Sequence, residues 1–312
     1  MEELLEVLED FDEDQIEDAL LDMLGLPFVF HIDSYIKLYL RWKDKINFEK
    51  INDALIAFAY STSHLTLPEK LKIIEEEPML EALKLKTLGE YLMLACMIIQ
   101  GAISTALQEV NFSSGILLRT ALETGLKGML FQHLLDWRFR ARVKRKSHIS
   151  NYYTDSVVRF LKDVENRSRS SGKCLEDIIA DPEVFLIDYL KIKDVARWLE
   201  EWNVFEPIVD ASQLIVKKYE NLSLEVHGKT LALYLRQAIS VATLGKAMAE
   251  VIEIIDLMLV GMLNTVRNLT PEELTKLDSE PWRNFTTYVK NGGLEYTWKV
   301  LATLQNHRNM RL

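Results

Sequence analysis

Two stretches of this chain carry polar residues whose types and spacing suit the handling of an anionic group. Arg119, Glu123 and Lys127 recur every fourth residue, and so do Tyr219, Ser223 and His227. On a helix, at about 100° per residue, Arg119, Glu123 and Lys127 fall at roughly 0°, 40° and 80°, with Ile116, Leu126 and Leu130 among or beside them. No broad polar face receives these charges. A helix that is apolar on every side is buried, and buried charges need partners. Arg119 precedes Glu123 by four residues, the less favourable order for a surface pair. Glu123 is therefore expected to hold the Arg119 guanidinium in one pose. Tyr219, Ser223 and His227 share one face of a second helix, which Gly228 ends. His227 then lies beside the start of the next apolar helix, where the helix dipole favours neutral imidazole. Arginine stabilises charge on a phosphoryl group and neutral histidine transfers a proton. On this reading Arg119, Glu123 and His227 are catalytic, and Tyr219, Ser223 and Lys127 bind ligand. The same residues equally describe a buried polar network that locks helix register.

The elements that must position these groups are helices. Long periodic segments dominate, glycine and proline are sparse, and hairpin signals are nearly absent, so the fold class is all-α. Four long helices, at about 87–110, 112–145, 205–226 and 230–268, are expected to form a central up-down bundle. Residues 1–86 read as an acidic helical subdomain or cap, and 87–269 as the bundle with a basic helical insertion at about 138–204. Residues 270–312 read as helices packing on the bundle. Ser113 or Ser114 is a candidate cap for the Arg119 helix, which is expected to continue past Phe131 through the basic run that follows. In the last bundle helix, Lys246, Glu250, Glu253 and Asp256 fall on one stripe, expected to be a solvated edge.

Composition narrows the function classes. The 312 residues are 48% hydrophobic, enough for one large core or two ordinary ones. Two cysteines, Cys96 and Cys174, exclude a disulfide framework and a cysteine-based zinc site, and fit a reducing, cytoplasmic setting. The acidic start is neither a signal nor a basic transit peptide. Residues 91–107 carry no charge but lack anchors at both ends, so a core helix is expected rather than a membrane span. The net charge of −10 is uneven: residues 1–22 hold eleven acids and no base. Residues 138–173 hold eleven bases and three acids, a charge of +8 that leaves −18 elsewhere. An acidic total argues against indiscriminate nucleic-acid binding, whereas a local basic patch suits a specific anionic partner. That patch also contains Trp137, Phe139, Tyr152, Tyr153 and Phe160, and basic residues interleaved with aromatics suit single-stranded nucleic acid. A solvated helix pair clamped by acidic surface is the plainer reading of the same segment. His227-Gly228-Lys229-Thr230 is not a phosphate loop, because Ser223 stands where its first glycine belongs. No metal-binding or other cofactor motif is found.

Arg119-x3-Glu123 followed by Tyr219-x2-Leu222-Ser223-x2-Val226-His227-Gly228 resembles the paired motifs of DUF5677-type, HEPN-like all-helical proteins. The resemblance covers roughly residues 87–269. It implies a four-helix unit of a kind found in RNases, toxins and defence systems. The HEPN nuclease signature, Arg-x4–6-His within one segment, is not met by Arg119 and His227. Its one literal match is Arg142-x5-His148 in the basic segment, where Arg142, Arg145 and His148 are ligand-binding candidates. The resemblance implies an intracellular protein that binds or processes RNA or a nucleotide, with RNA reaching the basic segment 138–173. The alternative is a non-enzymatic interaction or structural protein, as a homodimer, whose Arg/Glu/His cluster is a buried structural network.

Overall fold

A computed structural model of the protein describes residues 41–42, 45–62, 85–107, 111–149, 154–179, 189–226, 241–269 and 280–309. Among these it contains eleven α-helices and no strand. The helices are α1 (Phe48–Ser61), α2 (Lys86–Leu107), α3 (Asn111–Leu135), α4 (Trp137–Ser147), α5 (Ser156–Ser171), α6 (Leu175–Ile179), α7 (Ile192–Glu201), α8 (Ala211–Val226), α9 (Val241–Leu269), α10 (Glu280–Asn291) and α11 (Glu295–Asn309). The acidic stretch 1–22 lies outside the described residues.

Helices α2, α3, α8 and α9 form the bundle expected from the sequence. The Leu88 amide donates to Gln132 Oε1 at 3.1 Å, and Gly101 faces Leu117 at the other end of the pair, so α2 and α3 are antiparallel. Gly125 meets Met258, Gly261 meets Met129, and His133 meets Thr265, so α3 and α9 run parallel. Asn264 Nδ2 donates to the Val204 carbonyl at 3.0 Å, while Lys218 pairs with Glu253 further along. Helix α8 therefore runs against α9, and the bundle alternates in direction. A Cβ at Gly128 would overlap Tyr91 Cβ, so glycine permits the close α2–α3 approach there. Of the described helices, α2 alone is long and apolar enough to cross a membrane. It lies along α3, with Leu88, Leu92, Ala95, Cys96 and Ile99 fully buried.

The expected continuous helix over 112–145 is two helices. Asp136 leaves the helical conformation and its side chain accepts from the Arg138 amide, capping α4. Arg140 Nη1 donates to the carbonyls of Leu134 and Leu135 at 2.6 and 2.8 Å, satisfying acceptors that the end of α3 would otherwise leave open. Helix α3 begins at Asn111, and Ser114 is buried within it, so Ser114 is not its cap.

The solvated-edge reading of α9 fails at Asp256. Lys246 and Glu250 do pair along the helix at 3.7 Å. Asp256 is buried and accepts from the amides of Tyr296 and Thr297 at 2.9 and 2.8 Å, and from Thr297 Oγ1 at 2.6 Å. It satisfies open donors at the start of α11 from another helix. Helix α10 packs on α1, and α11 on α9 and α10.

Candidate functional site

Helix α3 delivers Arg119, Glu123 and Lys127 along one stripe, and α8 brings Tyr219 against it. Arg119 Nη2 donates to the Tyr219 hydroxyl at 2.7 Å. That hydroxyl donates in turn to Glu123 Oε2 at 3.3 Å, and Glu123 Oε1 accepts from Lys127 Nζ at 2.7 Å. The Arg119 guanidinium also stands over the Tyr219 ring, 4.7 Å from its centroid, a favourable cation–π placement. The direct Arg119–Glu123 clamp expected from the sequence is not formed. Tyr219 mediates between the two, and the carboxylate is committed to Lys127.

Burial raises the Tyr219 pKa; the hydrogen bond from Arg119 opposes that shift and the Glu123 charge adds to it. The phenol therefore stays protonated at neutral pH and keeps its hydrogen for Glu123. Arg119, Glu123 and Lys127 together carry a formal charge of +1. Arg119 Nε is buried and has no hydrogen-bond partner among the described residues. Ser223 lies one turn beyond Tyr219 and donates back to the Tyr219 carbonyl at 2.6 Å. His227 and Gly228 lie outside the described residues.

Arg142, Arg145 and His148 belong to a separate place. Arg142 and Arg145 sit on α4 and His148 is its C-cap, and the rise along α3 from Arg119 to Leu135 is about 24 Å. Arg142 and His148 point about 120° apart around α4. The Arg142 guanidinium instead stands over Trp202, 5.4 Å from the ring centroid. Trp202 closes one wall of a cavity of about 260 Å³, which Arg138, Arg142, Asn203 and Asn268 complete. Much of the remaining basic charge is paired internally: Lys144 with Glu165 at 2.6 Å, Arg138 with Asp136 at 2.7 Å, and Lys146 with Glu201.

Two further polar centres were not singled out from the sequence. His133 is completely buried between Phe139 and Trp202. Thr265 Oγ1 donates to the Gly261 carbonyl at 2.7 Å, so at 3.2 Å it accepts from His133 Nε2, which assigns the proton to that nitrogen. Burial pushes the His133 pKa down to about 3. The second centre joins α5 to α7. Asp155 caps α5 through the amides of Val157 and Val158 and also accepts from Trp198 Nε1 and Arg197. Asp194 accepts from the amide and hydroxyl of Ser156. These carboxylates are occupied in holding two helices together. A cap-like Asp155 ahead of an apolar run was the available signal, but the partners come from another stretch of chain.

No protein-family model, curated protein sequence or solved structure matches the chain.

Proposed function

We propose that this all-helical protein binds a phosphate-bearing ligand of the nucleotide or RNA class at the Arg119 cluster. The observation that carries the reading is the state of Arg119. Its guanidinium is oriented by the Tyr219 hydroxyl and ring, yet the neighbouring carboxylate is engaged with Lys127. A pre-oriented cation without a carboxylate partner offers charge-assisted hydrogen bonds to a phosphate at little ordering cost. The likeness to HEPN-like motifs agrees with this reading. Processing of the bound ligand would require proton transfer, for which His227 is the candidate.

Calorimetric titration with nucleoside monophosphates tests the proposal. Arg119→Gln should weaken binding about tenfold or more while the helical circular dichroism is retained. His227→Ala should bind ligand but abolish any turnover. Absence of binding by the wild-type chain, or equal binding by folded Arg119→Gln, overturns the reading.

A second reading is favoured by the Tyr219 hydroxyl itself, which joins Arg119 and Glu123 of α3 to α8. There the cluster is a structural brace. It predicts that Arg119→Gln lowers the melting temperature and changes the binding of no ligand.

A further inference from the structure

We propose a second site, independent of the Arg119 cluster: the outward face of α4 and the adjoining Trp202 cavity bind single-stranded RNA. Around α4, Arg138, Arg142 and Arg145 fall within about 60° of one another, and Trp137, Lys144 and His148 lie on the adjacent solvent side. Phe139 and Val143 point the other way and are fully buried. The three arginines span about 10 Å of helix. Arg142 and Arg145 have no carboxylate partner among the described residues, although Arg138, Lys144 and Lys146 each have one. Trp137 stands 69% exposed at the start of this face, an aromatic surface that packing does not explain.

The cavity supplies complementary chemistry. Arg142, stacked on Trp202, offers its guanidinium edge to phosphate and its outer plane to a base, while exposed Asn203 and the Asn268 side-chain oxygen, whose amide nitrogen is held by the Trp202 carbonyl, line the cavity beside it for a base edge. Phosphate, base plane and base edge are together available only on a strand whose bases are unpaired. An anionic membrane is a poorer match. The exposed apolar residues of this segment, Trp137 and Ile149, stand at its two ends with basic residues between, rather than as the continuous apolar strip of an interfacial helix. The chain's net charge of −10 opposes diffuse attraction to nucleic acid, so binding depends on this local face.

Fluorescence anisotropy with a labelled single strand of about twelve nucleotides, and with the corresponding duplex, tests the inference at low salt. The wild-type chain should prefer the single strand. Arg142→Glu/Arg145→Glu should weaken that binding about tenfold or more. Arg167→Glu/Arg169→Glu, an equal charge change on α5, should weaken it less than about threefold. The same α4 variant should bind nucleoside monophosphates as the wild type does in calorimetry, which separates failure of this site from failure of the Arg119 site. If the double glutamate variant fails to fold by circular dichroism, Arg142→Gln/Arg145→Gln replaces it. Equal loss in the two charge-reversed pairs, preference for the duplex, no binding, or binding to phosphatidylserine vesicles without binding to RNA each overturns the proposal.

Discussion

His133 shows how a single buried side chain can give the whole chain a pH dependence. Its folded pKa is about 3, below the ordinary histidine value near 6.5. Between these values the unfolded chain holds a proton that the folded chain does not, so stability falls as pH drops through 6.5 toward 3. Between pH 7.5 and 5.5 this one residue should cost about 1.4 kcal/mol. Denaturant unfolding at the two pH values checks it, with His133→Gln, which retains a donor for Thr265, expected to lose that increment. Tyr219 makes a separate prediction: Tyr219→Phe removes one bridging hydroxyl and should cost about 1 kcal/mol, read from the same unfolding curves. The Arg119, Glu123 and Lys127 stripe was legible because four-residue spacing on an apolar helix is conspicuous. The mediation by Tyr219 was not, since spacing places Tyr219 on a face without saying which atom it meets. His133 gave no signal: one histidine in an apolar run has the same pattern whether it packs or ligates.

At the scale of elements, local capping decided where the sequence reading succeeded and failed. The periodic pattern runs through Asp136 unbroken, so only the competition between helix continuation and an aspartate cap ends α3 there. Asp256 was misread for a related reason. It belongs to a charged stripe by spacing, yet its oxygens serve the amides of Tyr296 and Thr297 forty residues later in the chain. Asp256→Ala should therefore cost about 2 kcal/mol by leaving those donors open, and Asp256→Asn should recover part of it. Chemical unfolding of the two variants checks both. The α2–α3 contact gives a steric prediction. Gly128→Ala faces Tyr91 Cβ rather than a flexible tip and should destabilise by about 1–3 kcal/mol, whereas Gly245→Ala, with open space around it, should not. A melting series over the two alanine variants distinguishes them.

Over the whole molecule, the bundle and its alternating direction were legible because long apolar periodicity survives in the sequence. The Trp202 cavity was not, because its lining residues come from α4, the turn after α7, and the end of α9. Only the tertiary arrangement unites them. The same arrangement pairs several basic residues internally, so the +8 segment presents less free charge than its composition implies. Affinity for single-stranded RNA should consequently fall with salt at a logarithmic slope of only about −2 to −3, as for a few neutralised phosphates. A salt titration measures this. Helix α3 packs against α2, α4, α6, α7, α8 and α9, and that centrality extends to motion. No neighbour can be stripped away to open α3 while the rest stays folded. Amides from Leu122 to Leu130 should thus exchange with deuterium only through global unfolding, at one shared free energy, while α5 and α6 exchange through smaller openings. The slowest-exchanging helix would then report the stability of the entire chain.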